Sequence, residues 1–277
     1  LVSKSTLLLS VAGIGFLLLL SSGSYYFARQ ELLHTIAANQ TTTVTSLAGQ
    51  LDDRLRMAEN ILQHLAEHLQ DSHPYLSGGQ LQDVLKRYDV ALQFFDAGLT
   101  VLSPEGRIIA ILPYQHDLIG KDTSNHPHFK QVVATRKPYV SSPFASFMPP
   151  YQPVVAFNVP IFDLKGRLSG VLSGQHTLKG SGFLEKLITE PVGESGYFYL
   201  FNQDRTLLLH PVASRVLTTV APGSNLVIDD ALKGWRGTRE NVNSKGLPGL
   251  TSVQPLKEAP WFLAAHYPLA EAYAPLQ

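Results

Sequence analysis

Residues 153–174, "PVVAFNVPIFDLKGRLSGVLSG", decide the fold that this sequence predicts. Two apolar runs rich in β-branched residues flank a polar segment at 163–166 that contains Asp and Gly, residues typical of turns. The stretch therefore predicts an antiparallel β-hairpin. Antiparallel sheets are assembled from units of this kind.

Three further hairpins are predicted on either side of this one. They lie at 94–112 with a turn at 104–106, at 197–211 with a turn at 202–205, and at 250–268 with a turn at 257–260. Leu102 and Ile161 are 59 residues apart, and Phe201 and Leu256 are 55 residues apart. Similar hairpins at similar spacing indicate two copies of one module. The expected fold class is α+β, with two antiparallel sheets that each carry helices on one face.

The segment between the first two hairpins contains two histidines that flank a proline. The run "PHFKQVVA" predicts a short helix with Pro127 at its first position. Three roles stay open for His126 and His128. They are metal ligands together with His116, Asp117 and Asp122; structural groups, with His126 capping the helix; or donors to the oxygens of a small ligand.

The loop "SSPFASFMPPYQP" at 141–153 is rich in aromatic residues and proline. Each of its aromatics, and the preceding Tyr139, is typical of core packing when taken singly. Taken together they are typical of a loop that closes an apolar pocket. The candidate ligand-binding residues are therefore His126, His128, Tyr139, Phe144, Phe147, Tyr151 and Gln175.

The N-terminal part of the chain predicts a membrane helix followed by a stalk. Residues 5–28 carry no charge and are long enough to cross a bilayer, although a cleaved signal peptide has a similar pattern. Residues 29–75 continue as a helix with one apolar stripe. The stripe either pairs with a second copy, giving a homodimer, or packs on the domain that follows. Its members are Leu47, Leu51, Leu55, Ala58, Leu62, Leu65 and Leu69.

Composition and motifs exclude several classes of protein. Lys plus Arg equals Asp plus Glu at 22 each, so no charge excess favours nucleic-acid binding. The absence of cysteine excludes disulfides, thiolate zinc sites and cysteine nucleophiles. The run "HLAEH" at 64–68 fits a zinc-peptidase pattern, but it lies on the stalk helix beside its apolar stripe and no further ligand is evident. We expect no enzymatic activity and no cofactor.

Four segments together resemble the double Cache family of extracytoplasmic sensor domains. They are "LSPEGRIIA", "IGKDTSNHPHFKQVVATRKPYVSSPF", "VAFNVPIFDLKGRLSGVLSG" and "GESGYFYLFNQDRTLLLHP", and the resemblance covers roughly residues 30–270. It implies two stacked PAS-like Cache modules along a long N-terminal helix. The implied layout is a membrane helix at 5–28, a stalk at 29–75, a membrane-distal module at 76–180, a membrane-proximal module at 181–268 and the start of a helix at 269–277 that leads to a second membrane segment.

The resemblance also implies where a ligand binds and what it is. Small ligands of the family usually occupy the distal module, between its sheet and covering loops that correspond to about 113–152 here. Amino-acid-binding members carry an Arg-Pro-Trp-Tyr type motif where this chain has His126, Pro127, His128 and Phe129, and an acidic residue where it has Gln175. The resemblance adds Phe129 to the candidate ligand-binding residues. A ligand of carboxylate, amine or amino-acid type is implied, although both charged anchors are replaced.

Three hypotheses about function follow. The first is a sensor domain of a bacterial histidine kinase, diguanylate cyclase or chemoreceptor in the plasma membrane, with residues 29–277 on the outer side. The second is a ligand-free dimerisation module of such a receptor. The third is a membrane-anchored zinc hydrolase that uses His64, Glu67 and His68.

Overall fold

The computed structural model describes residues 4–72, 78–178, 184 and 191–274, with side chains from residue 13 onward except for 70–78. Its helices are α1 (Lys4–Ser72), α2 (Gly78–Lys86), α3 (Pro127–Thr135), α4 (Leu226–Ala231) and α5 (Leu269–Ala272). The strands of the first sheet are β1 (Gly98–Leu102), β2 (Ile108–Leu112), β3 (Tyr139–Val140), β4 (Phe144–Ala145), β5 (Pro153–Phe162) and β6 (Leu168–Thr177). Those of the second are β7 (Tyr197–Asn202), β8 (Leu207–Leu209), β9 (Gly237–Val242), β10 (Pro248–Pro255) and β11 (Trp261–Pro268).

The two sheets share one topology. The first has the order β2-β1-β6-β5-β3, with β4 also paired to β5, and the second has the order β8-β7-β11-β10-β9. Every pairing is antiparallel, and β1, β6 and β5 therefore correspond to β7, β11 and β10. The predicted α+β class, the four hairpins and the duplicated module are confirmed. The expectation of helices on one face of each sheet is wrong, because α1 packs on one face of both sheets while α3 and α4 pack on the opposite faces. We call the first module distal and the second proximal.

Helix α1 backs both sheets. Its 69 residues extend about 100 Å at 1.5 Å per residue. The predicted apolar stripe is buried from Leu51 to Leu69, in one core cluster with Phe157 of the distal sheet and Leu263 of the proximal sheet. The sequence allowed two partners for the stripe, a second copy of the helix or the domain that follows it. In the structure the stripe packs on the two sheets of that domain. Burial of the stripe leaves the opposite face of α1, with residues such as Arg54, exposed.

Polar contacts fix α1 to the proximal sheet. The buried carboxylate of Asp52 accepts the backbone N–H groups of Lys257 (2.8 Å) and Glu258 (3.0 Å), which form the turn between β10 and β11. One turn further on, Arg56 donates to the Glu258 carboxylate at 2.7 Å. A buried carboxylate is stable only when its oxygens are paired, so these backbone donors set the register of α1 on this module.

Some predicted boundaries lie outside the described residues. These are the junctions at 75/76 and 180/181, and the end of the predicted C-terminal helix at 275–277. The side chains of residues 5–12 in the predicted membrane segment are likewise outside the description. Within the part of the chain that is described, no helix is both long and apolar enough to cross a membrane.

Candidate ligand-binding site

The two faces of the distal sheet have different neighbours. On one face, a Cβ at Gly174 would lie 2.5 Å from the ring of Phe95, which packs in the same cluster as α1. On the other face, Val171 packs with Phe129 and Val132 of α3. Because successive residues of a strand alternate between faces, the odd-numbered residues of β6 from 171 to 177 lie under α3.

Two rows of side chains cross this α3-covered face. Thr100 of β1, Ser173 of β6 and Asn158 of β5 are direct partners in the sheet, and we call them the hydroxyl row. Gly98, Gln175 and Ala156 form the next row along the strands, the glutamine row. Directly opposed residues share a face of the sheet, so the polar groups of both rows point toward α3.

Three oxygens of these rows have no hydrogen-bond partner among the residues that the structure describes. They are Thr100 Oγ1, Asn158 Oδ1 and Gln175 Oε1, on side chains that are only 1%, 1% and 2% exposed. Asn158 uses its other amide atom, because Nδ2 donates to the carbonyls of Tyr139 (3.1 Å) and Ala156 (3.0 Å). Buried polar atoms are nearly always paired, so three such oxygens on one face make it the candidate site for the donors of another molecule.

Helix α3 and the loop after it cover the rows. Pro127 starts the helix as predicted, and Arg136 ends it with a left-handed backbone at φ 56°. His126 stands at the N-cap but makes no capping bond through its side chain, so that part of the prediction is wrong. Its ring instead lies 5.1 Å from the ring of His128, which stacks on Phe144 at 4.9 Å. The His126 ring therefore packs against neighbouring rings and does not bond to the N-terminus of α3.

The two imidazoles of this cover are poor bases. Burial, and secondarily the neighbouring His126, lowers the pKa of His128 to about 4. Burial and the charge of Lys121 lower the pKa of His126 as well. His128 is therefore neutral at pH 7 and presents a flat, uncharged ring beside the site.

A cavity of about 310 Å³ opens on the same face, at the end of the rows. Its lining includes Val154 and Thr177, the next pair along β5 and β6, and Met148 of the covering loop. Met148 separates this cavity from the glutamine row. A Cβ at Gly98 would lie 2.9 Å from Met148 Cε and 2.6 Å from the Leu112 carbonyl, so only glycine fits there, at φ 106°. The volume lies at the lower end of the range for small-molecule sites.

The structure brings most of the predicted residues to this face and leaves one apart. Gln175 is in the glutamine row, and Phe147 contacts the His126 ring at 6.4 Å. Phe129 of α3 is buried against the sheet, with Tyr139 packed against the same cluster. Tyr151 points to solvent, being 65% exposed at φ 59°. Thr100, Ser173 and Asn158 were not among the predicted residues, although each is a polar position within an apolar strand.

The equivalent rows of the proximal module are filled by large side chains. Tyr197, His266 and Thr251 are aligned where the distal sheet has Gly98, Gln175 and Ala156. These groups bond to one another: His266 Nδ1 lies 3.2 Å from Thr251 Oγ1, and Asn243 Nδ2 lies 3.4 Å from His266 Nε2. The cavity lined by Tyr197 and His266 has about 10 Å³, the room of a single water molecule. A wider cavity of about 690 Å³ opens beside the edge strand β9, and neither of these two side chains lines it.

The three polar residues of the zinc-peptidase pattern, His64, Glu67 and His68, lie on the exposed side of α1. His64 Nδ1 lies 3.3 Å from Glu67 Oε2, on side chains that are 81% and 71% exposed. The ring of His68 contacts Tyr88 at 6.1 Å. Among the described side chains, no group of three or more metal-ligating residues converges here or near His126 and His128.

Two matched substitutions test whether the Thr100 hydroxyl is indeed buried without a hydrogen-bond partner. Thr100→Val should raise the free energy of unfolding by roughly 1 kcal/mol, because it removes a buried hydroxyl that lacks a partner. Thr251→Val should lower it by roughly 1–2 kcal/mol, because that equally buried hydroxyl bonds to His266. Urea unfolding measures both. Equal destabilisation by the two changes would show that Thr100 has a partner.

Comparisons with known proteins agree with this architecture. The extracellular domain of rpHK1S-Z16, assigned to a histidine kinase, is 15% identical with a TM-score of 0.74, covering 87% of this chain and 98% of that one. The ligand-binding domain of the amino-acid chemoreceptor PctB of Pseudomonas aeruginosa PAO1, in complex with L-Gln, is 18% identical with a TM-score of 0.68, covering 86% and 93%. An extracellular ligand-binding receptor from Desulfohalobium retbaense DSM5692 is 17% identical with a TM-score of 0.65; the match covers 83% of this chain but 40% of that one.

At such identities the structural likenesses establish the fold. No curated protein sequence matches the chain. The family model described as Cache domain, of the double Cache type, matches residues 27–276, nearly the whole chain and both modules. The chain therefore belongs to the Cache domain family of sensor domains.

Proposed function

We propose that the chain is the extracytoplasmic sensor domain of a bacterial signal-transduction receptor, and that a small polar metabolite binds between the hydroxyl row and α3. The output would be that of a histidine kinase, diguanylate cyclase or chemoreceptor. One observation carries the proposal: three buried, unpartnered oxygens share a face next to a cavity, whereas the equivalent proximal rows are filled.

In this proposal the residues of the site have separate tasks. Thr100, Asn158 and Gln175 bind the polar groups of the ligand. The rings of His128 and Phe144 form a wall beside it. The remaining members of the cover are Phe129, His126, Tyr139 and Phe147, which hold α3 and the loop in place. Tyr151, which points to solvent, is left out.

Ligand binding would be communicated through the sheet to α1. The same strands that carry the two rows pack their other face on α1, for example through Phe157 and Leu172. A ligand that binds one arrangement of the cover more tightly shifts the population of that arrangement and of the packing behind it. We propose that residues 5–28, at the N-terminal end of α1, form the plasma-membrane anchor and that residues 29–277 lie outside. A homodimer along α1 would use its exposed face, because the stripe is buried within the chain.

Thermal melts against a metabolite library test the proposal. Amino acids, carboxylates, amines, amides and polyols are added singly to the purified protein, and we expect one class to raise the melting temperature. A ligand at about a hundred times its Kd stabilises a protein by roughly 3 kcal/mol.

The two threonine variants serve as a matched pair in this experiment. Thr100→Val should weaken binding of the stabilising compound about tenfold, the effect of one lost hydrogen bond to a buried group. Thr251→Val should leave the affinity unchanged, because that residue lies in the proximal module. Absence of any shift across the library, or loss of binding in Thr251→Val alone, would refute the proposal.

A further inference from the structure

We infer that the ligand of the distal site is an uncharged molecule that carries at least two N–H or O–H donors, as carboxamides and polyols do. This inference rests on the proposed function and narrows the class of ligand. It starts from the chemistry of the three orphan atoms. Two of them are amide oxygens, which only accept, and the third is a hydroxyl, which accepts and can also donate, so each of the three offers an acceptor to whatever binds there.

The direction of the Asn158 amide is determined by its neighbours. Its Nδ2 is within hydrogen-bonding distance of two carbonyl oxygens, those of Tyr139 and Ala156. A flipped amide would place oxygen against oxygen at both contacts, so the free atom must be Oδ1. Asn158 can therefore accept a hydrogen bond from a ligand but has no N–H left to donate to a carboxylate.

Among the described residues, one charged side chain lines the adjoining cavity: Asp96, whose carboxylate already accepts hydrogen bonds from the N–H (2.8 Å) and the hydroxyl (2.7 Å) of Thr177. Asp52 is the one Asp, Glu, Lys or Arg among the buried side chains that the structure describes, and it lies on α1 at the proximal module. The imidazole of His128 is held neutral by its surroundings. At the rim, Lys121 lies over the ring of Phe147 at 5.4 Å and Lys130 donates to Asn125, both exposed to solvent and its screening.

The balance of solvation free energy then separates the ligand classes. An ammonium or carboxylate placed between the rows and α3 leaves water without meeting an opposite charge there, and the Asp96 carboxylate beyond Met148 is already bonded to Thr177. Its entry is therefore unfavourable by several kcal/mol. An uncharged donor loses less hydration and pairs oxygens that are otherwise buried and unsatisfied. Thr100 and Asn158 lie on strands either side of β6, about 10 Å apart at a strand spacing of roughly 4.8 Å. A compact molecule with two donors reaches from Gln175 toward either of them.

A charge series of similar size tests the inference. The whole chain is titrated by calorimetry at pH 7 with propionamide, propionate and propylammonium, and with glycerol to distinguish amides from polyols. We expect propionamide or glycerol to bind at least about tenfold more tightly than either ion, the ratio that corresponds to 1.4 kcal/mol.

A single added charge should reverse that order. In Gln175→Glu a carboxylate replaces one acceptor of the glutamine row, so propylammonium should overtake propionamide. Gln131→Glu adds the same charge on the exposed side of α3 and should leave the order as in the wild type. Circular dichroism confirms that both variants are folded.

The outcomes separate this inference from the proposed function. Tighter binding of propionate or propylammonium to the wild type, weakened by Thr100→Val, overturns the uncharged class but keeps the site. Failure of both propionamide and glycerol to bind also overturns it, and the library melts then decide whether the proposed function falls too. An unchanged order in Gln175→Glu would mean that Gln175 does not face the ligand.

Discussion

Lowering the pH from 7 to 5 should reduce the free energy of unfolding by roughly 3–4 kcal/mol, through two buried histidines. Burial lowers the pKa of His128 to about 4, and burial together with Arg215 lowers the pKa of His210 to about 4. Both depressed values lie below the ordinary value of 6.5, so the folded state favours neutral rings. The stability is complete above pH 6.5 and is lost as the pH falls toward 4, at roughly 2 kcal/mol for each ring by pH 5.

Urea unfolding at several pH values measures this effect. His128→Gln should remove about half of the loss, because it eliminates one of the two titrating groups. His64→Gln should change nothing, because that side chain is 81% exposed on α1. A free energy of unfolding that stays constant from pH 7 to 5 would contradict the burial of both rings.

Asp52→Leu should destabilise the protein by roughly 3–5 kcal/mol. The substitution leaves the backbone N–H groups of Lys257 and Glu258 without an acceptor where α1 meets the turn between β10 and β11. Asp52→Asn keeps an oxygen in the same place and should lose only the charge-assisted part, about 1–2 kcal/mol. Denaturant unfolding provides the comparison.

The neighbouring residue is the matched control for this change. Asp53 has a side chain that is 76% exposed and only a 3.5 Å ion pair with Arg56, so Asp53→Leu should alter stability by less than about 1 kcal/mol. Equal effects at 52 and 53 would show that α1 is not fixed to the proximal module by the buried carboxylate.

The fold was predictable because its signals are local. Each hairpin joins two apolar runs through a turn only a few residues long, as at 163–166, so strand and turn signals lie side by side in the sequence. The stripe of α1 follows the helical period and identifies its buried face. Its partner could not be predicted, because a stripe that fits a second helix fits a sheet equally well.

The centre of the candidate site was less predictable. Thr100 and Asn158 are adjacent to Ser173 only because β1, β6 and β5 pair in one register, which brings together residues up to 73 positions apart in the numbering, from 100 to 173. A single polar residue in an apolar strand does not show which face it occupies. Capping of α3 was one of three roles that the sequence leaves open for His126, and the packing of its ring on His128 and Phe147 decides its orientation.

The asymmetry between the modules also depends on tertiary structure. The sequence shows two similar sets of hairpins, and only the registers show that Tyr197 and His266 occupy the positions of Gly98 and Gln175. Large side chains that bond to one another complete the proximal core. On the distal face, where we propose that the ligand binds, the side chains are small and three oxygens have no partner among the described residues.

A crystal structure of the protein with the compound that raises its melting temperature most tests the central claim directly. We predict electron density for that compound between α3 and the hydroxyl row, with its donors within hydrogen-bonding distance of Thr100 Oγ1 and Asn158 Oδ1. Density for the compound in the proximal module, between Tyr197 and His266, or on the outer surface of the protein would contradict the account.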